Sequence, residues 1–338
     1  MQFAVDDLWI GHRLGPAVLE ERDGQLRPVA FGRVAVQQSG VPRLAGTIMP
    51  GIADRHVHLG LVNATALADT PVVEVHDLGW VPSIARGWKI NSPTGGLVKI
   101  AGAFLTAVGG YPAGRSWAPP GSVCGLARAA DGVRAVDEAA AHGHDLIKVA
   151  LHSGGPVLDD ATLAAVVRAA HRHRLPVGVH AEGRGQARRA FEAGADMLVH
   201  VPWTESLTDD LLVAMARSME WISTFAIHPE AERERALDNA RRFIQLGGRL
   251  DYGTDMGNDI YGGPMPVGPR PEEIIALGHA GLVSDSLLES LTGSSGDRLG
   301  TGAAVHAPLP LPQDAEDVVV WMSHAQRLAD ALQEGVIA

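Results

Sequence analysis

Four histidines stand where short apolar segments of the sequence end. His56 and His58 close MPGIADRHVH, His180 closes LPVGVH, and His200 closes GADMLVH. Residues i and i+2 of a strand point to one side, so His56 and His58 can bind one metal ion together. Each histidine by itself can equally be a helix cap or a structural core residue. Their shared position at predicted strand ends favours a metal site.

A lysine and an aspartate belong to similar segments. Lys148 lies inside HDLIKVAL, and Asp255 follows RLDYGT. A buried, unpaired ammonium is costly, so such a lysine must be paired, neutralised or modified, for example by carboxylation with CO₂. Lys99 in GGLVKIAGA also looks like a strand residue, and either lysine can keep its charged end in water. Asp255 can bind a metal and accept a proton from metal-bound water, or simply form a turn.

These side chains need a scaffold that brings distant strand ends together. From about residue 48, short apolar runs alternate with helical patterns, which is typical of repeated βα units. Strands are predicted at 48–56, 72–77, 97–104, 145–151, 176–180, 196–200, 221–226 and 249–254. Helices are predicted at 131–142, 159–173, 184–193, 207–219, 230–246 and 271–280. This alternation predicts an α/β fold, a (β/α)₈ TIM barrel.

The two ends of the chain have a different pattern. The first 47 residues contain the alternating pieces AVDDLWIG, AVLEERDG, LRPVAFG and RVAVQQSG, which predict short strands joined by turns. A proline-rich linker near the C-terminus leads to an apolar strand predicted at 317–322. We therefore predict a small β-sandwich formed by 1–47 and 303–338 beside a barrel formed by 48–302.

Composition excludes several classes of function. The 338 residues carry a formal net charge of -11 and no basic patch, so we expect no nucleic-acid partner. No apolar run approaches the roughly 20 residues that span a bilayer, and the N-terminus lacks a signal-peptide pattern. We expect a cytoplasmic protein without a membrane partner. The single cysteine, Cys124, excludes an intrachain disulfide.

Two segments rich in glycine and proline follow predicted strands. They are 106–125 and 255–271. In a barrel, both would lie on the face where the loops build active sites, so they are candidate substrate loops. They can also be ordinary long connections.

The order of five motifs resembles that of the amidohydrolase superfamily. The motifs are PGIADRHVH, DLIKVALHSGG, VGVHAEG, GADMLVHVP and YGTDMG. The resemblance runs from about residue 47 to 300 and is strongest to imidazolonepropionase-like proteins and metal-dependent Xaa-Pro dipeptidases. That branch also has a small β-sandwich built from both termini. The resemblance implies six metal ligands: His56, His58, Lys148, His180, His200 and Asp255.

The resemblance further implies how these ligands are shared. It selects Lys148 over Lys99 as a carboxylated lysine that bridges two divalent metal ions, with zinc as the usual metal. His56, His58 and Asp255 would bind one ion, and His180 and His200 the other.

The implied function is a binuclear metal-dependent hydrolase that cleaves an amide, peptide or cyclic amide bond. A metal-bridging hydroxide would be the nucleophile, and Asp255 would shuttle the proton. The substrate would be a small molecule or peptide-like, and a homo-oligomer is compatible with this class. Alternatives are a lactonase or esterase, a deaminase, and a non-catalytic ligand-binding descendant. Deaminases of the superfamily typically use one metal and lack the lysine of the fourth strand.

Three departures from the family pattern are candidate substrate-binding residues. His76 stands in VHDLG where relatives often have VRDLG, and Tyr111 follows two glycines where a GGH-like element is common. Glu182 follows His180 and Ala181, where some relatives carry an aromatic residue. Glu182 would repel a free substrate carboxylate. It can also be a first-turn helix residue favoured by the helix dipole, which is the interpretation we prefer.

Overall fold

The computed structural model describes residues 1–257, 266–293 and 299–333, together with the short strands 259–260 and 263–264. The strands are β1 (Gln2–Trp9), β2 (Arg13–Arg22), β3 (Gln25–Phe31), β4 (Arg43–Pro50), β5 (Ile52–Val57), β6 (Val72–Asp77), β7 (Leu97–Ile100), β8 (Phe104–Ala107), β9 (Val123–Leu126), β10 (Ile147–His152), β11 (Val177–Glu182), β12 (Met197–Leu198), β13 (Glu220–Ile222), β14 (Arg249–Asp251), β15 (Asp259–Ile260), β16 (Gly263–Pro264), β17 (Ala304–Ala307) and β18 (Gln326–Arg327). The helices are α1 (Arg33–Ser39), α2 (Pro82–Ile90), α3 (Ala129–Ala141), α4 (Asp160–Arg172), α5 (Gln186–Glu192), α6 (Asp209–Ala216), α7 (Glu230–Gln245), α8 (Pro271–His279), α9 (Ser284–Thr292), α10 (Ala315–Ser323) and α11 (Leu328–Gln333).

Parallel strands form the centre of the molecule. One sheet has the order β5-β6-β7, and another has the order β14-β13-β12-β11-β10-β8-β9. Backbone hydrogen bonds connect the two sheets at both sides. Met256 N donates to His56 O (3.3 Å), beyond the end of β14, and Asp145 N donates to Ile100 O (2.9 Å), ahead of β10. The predicted α/β fold with parallel strands is confirmed.

Helix α4 illustrates why the sequence forms these elements. Asp159 caps its first turn, since its carboxylate accepts from the backbone N–H of Thr162 at 2.6 Å. Leu163, Val166 and Ala170 recur at helical spacing and are buried. The helix therefore covers the parallel strands with one apolar face.

The two ends of the chain share a second layer. Its sheet has the order β18-β17-β4-β1-β2-β3, so strands from near residue 305 pair with strands from the first 50 residues. Phe3, Val5, Leu44 and Leu328 are buried in a hydrophobic cluster of their own on this sheet. In the described residues, both ends thus form one six-stranded sheet. The boundaries 1–47, 48–302 and 303–338 stay a prediction, and 294–298 and 334–338 lie outside the described residues.

The strand predicted at 317–322 is wrong. These residues lie in α10, which Asp314 caps by accepting from Asp317 N at 2.9 Å. Val318, Trp321 and Met322 are buried at helical spacing. A short continuous apolar run fits a buried helix as well as a strand, so periodicity did not decide between them. The tail still joins the N-terminal sheet, but through β17 and β18.

Two smaller predictions also need correction. RVAVQQSG was predicted as a strand but contains α1, which buries none of its residues and ends at Gly40 in the left-handed conformation (φ 63°). The strand predicted at 97–104 is interrupted between β7 and β8, where Gly102 has φ 72°. Glycine tolerates this backbone conformation without steric cost, and the sequence pattern did not reveal it.

Within the described part of the chain, no helix combines the length and apolar character needed to cross a membrane.

Candidate metal centre

The four predicted histidines meet at one end of the parallel strands. The rings of His56 and His58 are 5.3 Å apart between centroids, those of His56 and His200 4.6 Å, and those of His180 and His200 4.9 Å. All four side chains are buried. In parallel sheets, residues that end neighbouring strands lie side by side, which explains why positions far apart in sequence converge.

Each imidazole has one ring nitrogen held by a protein oxygen. His56 Nδ1 donates to Val199 O at 2.7 Å, and His58 Nδ1 lies 3.2 Å from Gly79 O. His200 Nδ1 pairs with Thr224 Oγ1 at 2.8 Å. Metal-binding histidines typically have this partner on the second nitrogen, because it sets the tautomer and the ring orientation. The Nε2 atoms of these three rings are thereby left for a metal.

His180 differs from the other three histidines, because its protein partner contacts Nε2 and not Nδ1. Its Nε2 pairs with Glu182 Oε2 at 3.1 Å, which leaves Nδ1 for a metal. The same carboxylate oxygen pairs with His152 Nδ1 at 2.7 Å. Burial opposes ionisation of Glu182, but the hydrogen bonds from His180 and His152 outweigh it and lower the pKa of the carboxyl. Glu182 is therefore an anion that positions His180.

Lys148 lies among these rings. Its side chain is 1% exposed, and Nζ is 3.4 Å from His56 Nε2. Burial lowers the pKa of Lys148 to about 7. Lys99 differs, since its ammonium forms an ion pair with Glu74 at 2.7 Å and its side chain is 40% exposed. The structure thus separates two lysines that periodicity alone did not.

Asp255 completes the centre. Its Oδ1 lies 3.2 Å from His56 Nε2 and 3.3 Å from His58 Nε2, and the side chain is buried. The residue has φ 55°, in the left-handed region.

Asp54 fixes the adjoining backbone, because its carboxylate accepts from Thr254 Oγ1 at 2.6 Å and from His56 N at 3.1 Å. Burial raises the pKa of Asp54 to about 7.

Burial also affects the charge of the imidazoles. It lowers the pKa of His180, and it lowers those of His56 and His200 well below their ordinary range. These rings are therefore neutral near neutral pH. A neutral imidazole has the lone pair that a metal ligand needs.

These side chains face a cavity of about 200 Å³. Its lining also includes residues that the sequence reasoning missed: Phe104, Trp117, Trp203, Ile227, His228, Pro229 and Glu232. His152, missed as well, lies four positions after Lys148 on β10 and therefore on the same strand face. That spacing was visible in the sequence. His228 lies on a loop after β13, where no periodic signal marked it.

The three candidate substrate-binding residues have different surroundings. Tyr111 lines the cavity and stacks on His180 (5.1 Å) and His152 (4.8 Å). Glu182 also lines the cavity, but it ends β11, so our preferred interpretation as a first-turn helix residue is wrong. His76 is not among the lining residues and pairs with Glu74 at 2.7 Å.

The two candidate substrate loops are described to different extents. Tyr111 and Trp117 bring 106–125 to the cavity wall. In 255–271, residues 258–265 lie outside those whose side chains are described.

Solved structures of hydrolases have a similar fold. A Xaa-Pro dipeptidase with bound methionine in the active site matches with a TM-score of 0.68 and 17% identity, over 86% of each chain. The ochratoxinase of A. niger matches with a TM-score of 0.73 and 18% identity, over 96% of this chain and 92% of that one. An amidohydrolase matches with a TM-score of 0.70 and 16% identity, over 92% of this chain and 94% of that one.

At these identities the likeness defines the fold, an α/β fold shared with amidohydrolases and dipeptidases. No protein-family model matches the sequence. No curated protein matches it either.

Proposed function

We propose that this protein is a binuclear metal-dependent hydrolase that cleaves an amide-type C–N bond. The observation that carries the proposal is the convergence of four imidazoles, Lys148 and Asp255 on one cavity, with every imidazole held at its other nitrogen. Imidazole nitrogen and carboxylate oxygen are the donors that zinc prefers, so the residues fit the expected metal.

The properties of Lys148 support a carbamate at this position. No carboxylate of the described residues lies within ion-pair distance of its buried Nζ, so an ammonium would be poorly compensated. A neutral amine is the form that reacts with CO₂, and burial favours the neutral form. A carbamate would add two oxygens that share one negative charge beside His56, and we infer that Lys148 in this form would help the histidines and Asp255 to hold the two ions.

When bound, two divalent ions would acidify a water molecule and polarise the carbonyl of the substrate. His56, His58 and Asp255 would hold one ion, and His180 and His200 the other. The Asp255 carboxylate would accept the proton of the attacking water at Oδ1 and deliver it to the leaving nitrogen. Tyr111 and Trp203 would close the wall around the reacting bond and exclude water.

We also infer that the parallel strands close into a (β/α)₈ barrel. The eight positions would be β5, β6, the interrupted pair β7 and β8, and β10 to β14. The hydrogen bonds between the two sheets, from Met256 to His56 and from Asp145 to Ile100, support closure. Similar folds among amidohydrolases support it further.

The test combines metal content with activity. Purified protein should contain about two zinc ions per chain, and carbon-13-labelled bicarbonate should produce a carbamate signal that is absent from Lys148→Ala. Activity should be measured on N-acyl amino acids, dipeptides, cyclic imides and lactones. We expect hydrolysis of amides in preference to lactones, and its loss with a chelator.

Asp255→Asn should lower kcat by about 10²–10⁴-fold, the usual contribution of a positioned acid–base group. Asp210→Asn, an exposed change in α6, is the matched control and should leave both metal content and activity unchanged. Metal-loaded protein without activity on the whole panel, or activity that a chelator does not affect, would contradict the proposal.

A further inference from the structure

The cavity wall beyond the metal ligands is acidic. Glu182 and Glu232 both line it, whereas Lys148 is its only lysine or arginine among the described lining residues. Positive charge from bound metals would be concentrated at the ligand end. A positively charged substrate group in this cavity would therefore meet two carboxylates in its lining.

Glu232 is available for such a group. It lies in the first turn of α7, is half-buried, and its carboxylate forms no ion pair or hydrogen bond with any described residue. Glu182 uses Oε2 for both histidines, while Oε1 accepts no hydrogen bond from the described part of the chain. The Glu232 carboxylate and Oε1 of Glu182 can therefore each accept a hydrogen bond from a ligand in the cavity.

His228 is a second indication, independent of the two carboxylates, that the cavity binds a ligand. It lines the cavity, is 4% exposed, and its Nε2 is buried without a hydrogen-bond partner among the described residues. Its ring stacks on Trp203 at 4.6 Å, which fixes its orientation. An unsatisfied buried nitrogen costs free energy unless a bound group completes it. His228, just ahead of α7, and Glu232, in its first turn, line the same cavity, so they can contact the same ligand.

The remaining lining favours a cation. Trp117 contributes an indole ring to the lining, and the face of such a ring attracts ammonium groups. The volume of about 200 Å³ is below the roughly 300–1,000 Å³ of pockets that hold drug-sized ligands. The occupant is therefore small.

We propose that Glu232, with Glu182 and His228, forms a subsite that selects small amide substrates carrying an ammonium group and rejects those with a free carboxylate. This inference rests on the proposed function and names its substrate class.

Four related compounds separate the two charges. They are alanyl-prolinamide, its N-acetyl derivative, alanyl-proline and N-acetyl-alanyl-proline, which vary the ammonium and the carboxylate independently. We expect the ammonium to raise kcat/KM by about tenfold, as a charged hydrogen bond does, and the carboxylate to lower it. Glu232→Gln should remove the ammonium effect. Glu234→Gln, exposed on the same helix, should retain it.

A binding experiment makes the inference independent of turnover. Calorimetry on the zinc-loaded protein should compare benzylamine with benzyl alcohol, which has the same shape without the charge. We expect about tenfold tighter binding of benzylamine, lost in Glu232→Gln and kept in Glu234→Gln. This preference in a protein that hydrolyses none of the amides would overturn the proposed function and leave the subsite standing. Equal binding of both compounds, or a faster reaction with the carboxylates, would overturn the subsite.

Discussion

At the residue scale, the four imidazoles differ in the oxygen that holds them. His56, His58 and His200 pair with uncharged oxygens, whereas His180 pairs with the Glu182 carboxylate. A carboxylate partner makes an imidazole a more basic ligand. Under the proposed function, the ion that His180 and His200 would hold would therefore depend on Glu182 more than the other ion would on any single partner.

Replacing Glu182 should consequently weaken metal binding. We expect Glu182→Ala to raise the zinc dissociation constant of one of the two sites by about 10–100-fold, the usual effect of removing such a partner. Glu182→Gln retains a hydrogen-bond acceptor and should lose less. Zinc titration against a competing chelator measures both, with the exposed change Glu192→Ala as the control. Unchanged affinity in both Glu182 variants would show that His180 needs no anionic partner.

At the element scale, one arginine connects the C-terminal segment to the parallel strands. Arg327 of β18 donates to the carbonyls of Val72, Thr94 and Gly95, each at 2.8 Å. These carbonyls lie at or just before the starts of β6 and β7. A planar guanidinium presents five N–H donors in a fixed geometry, so it can reach several separate carbonyls at once. Arg327 therefore connects the layer built from both chain ends to β6 and β7, which share a sheet with β5.

The change Arg327→Lys keeps the charge but loses this geometry. We expect it to lower the free energy of unfolding by roughly 2–4 kcal/mol, because buried carbonyls lose charged donors. Urea denaturation measures the loss. Arg22→Lys alters only an exposed ion pair with Asp23 and should change stability by less than about 0.5 kcal/mol. Equal stability of the two variants would mean that the tail is aligned by other contacts.

At the scale of the whole molecule, stability should depend on pH through Glu273. This buried carboxyl on α8 accepts from the backbone N–H groups of Phe225 (2.9 Å) and Ala226 (2.7 Å). It thereby holds the turn between Thr224, which pairs with His200, and His228. Burial raises the pKa of Glu273 from 4.5 to about 7, although these hydrogen bonds and that of Ser223 oppose the shift.

A raised pKa in the folded state means that the folded protein binds the extra proton. The stability contributed by Glu273 is therefore fully present below pH 4.5 and is lost as pH rises through about 7. We expect the Glu273 contribution to decline by roughly 1–3 kcal/mol between pH 5 and 8, measured by urea denaturation with a chelator present as the difference between the wild-type protein and Glu273→Gln. Glu273→Gln should flatten this slope. An identical slope in the variant would assign the decline to other groups.

The sequence alone determined the features that depend on local pattern. Alternation of apolar runs and helical periods gave the parallel α/β fold, because each element must bury one face. Four histidines at the ends of apolar segments predicted four positions of the candidate metal centre, because the ends of neighbouring parallel strands lie at the same edge of a sheet. The same patterns left Lys99 and Lys148 equivalent and did not distinguish the helix at 315–323 from a strand.

Only the tertiary structure decided which side chains share a space. It buried Lys148 and left Lys99 paired with Glu74, and it placed His76 away from the cavity. It also brought His228, from a loop without periodic signal, and Glu232, from the start of α7, to the cavity. Periodicity reports the direction of a side chain within its own element. The distance between elements depends on packing across the whole chain, which no local pattern encodes.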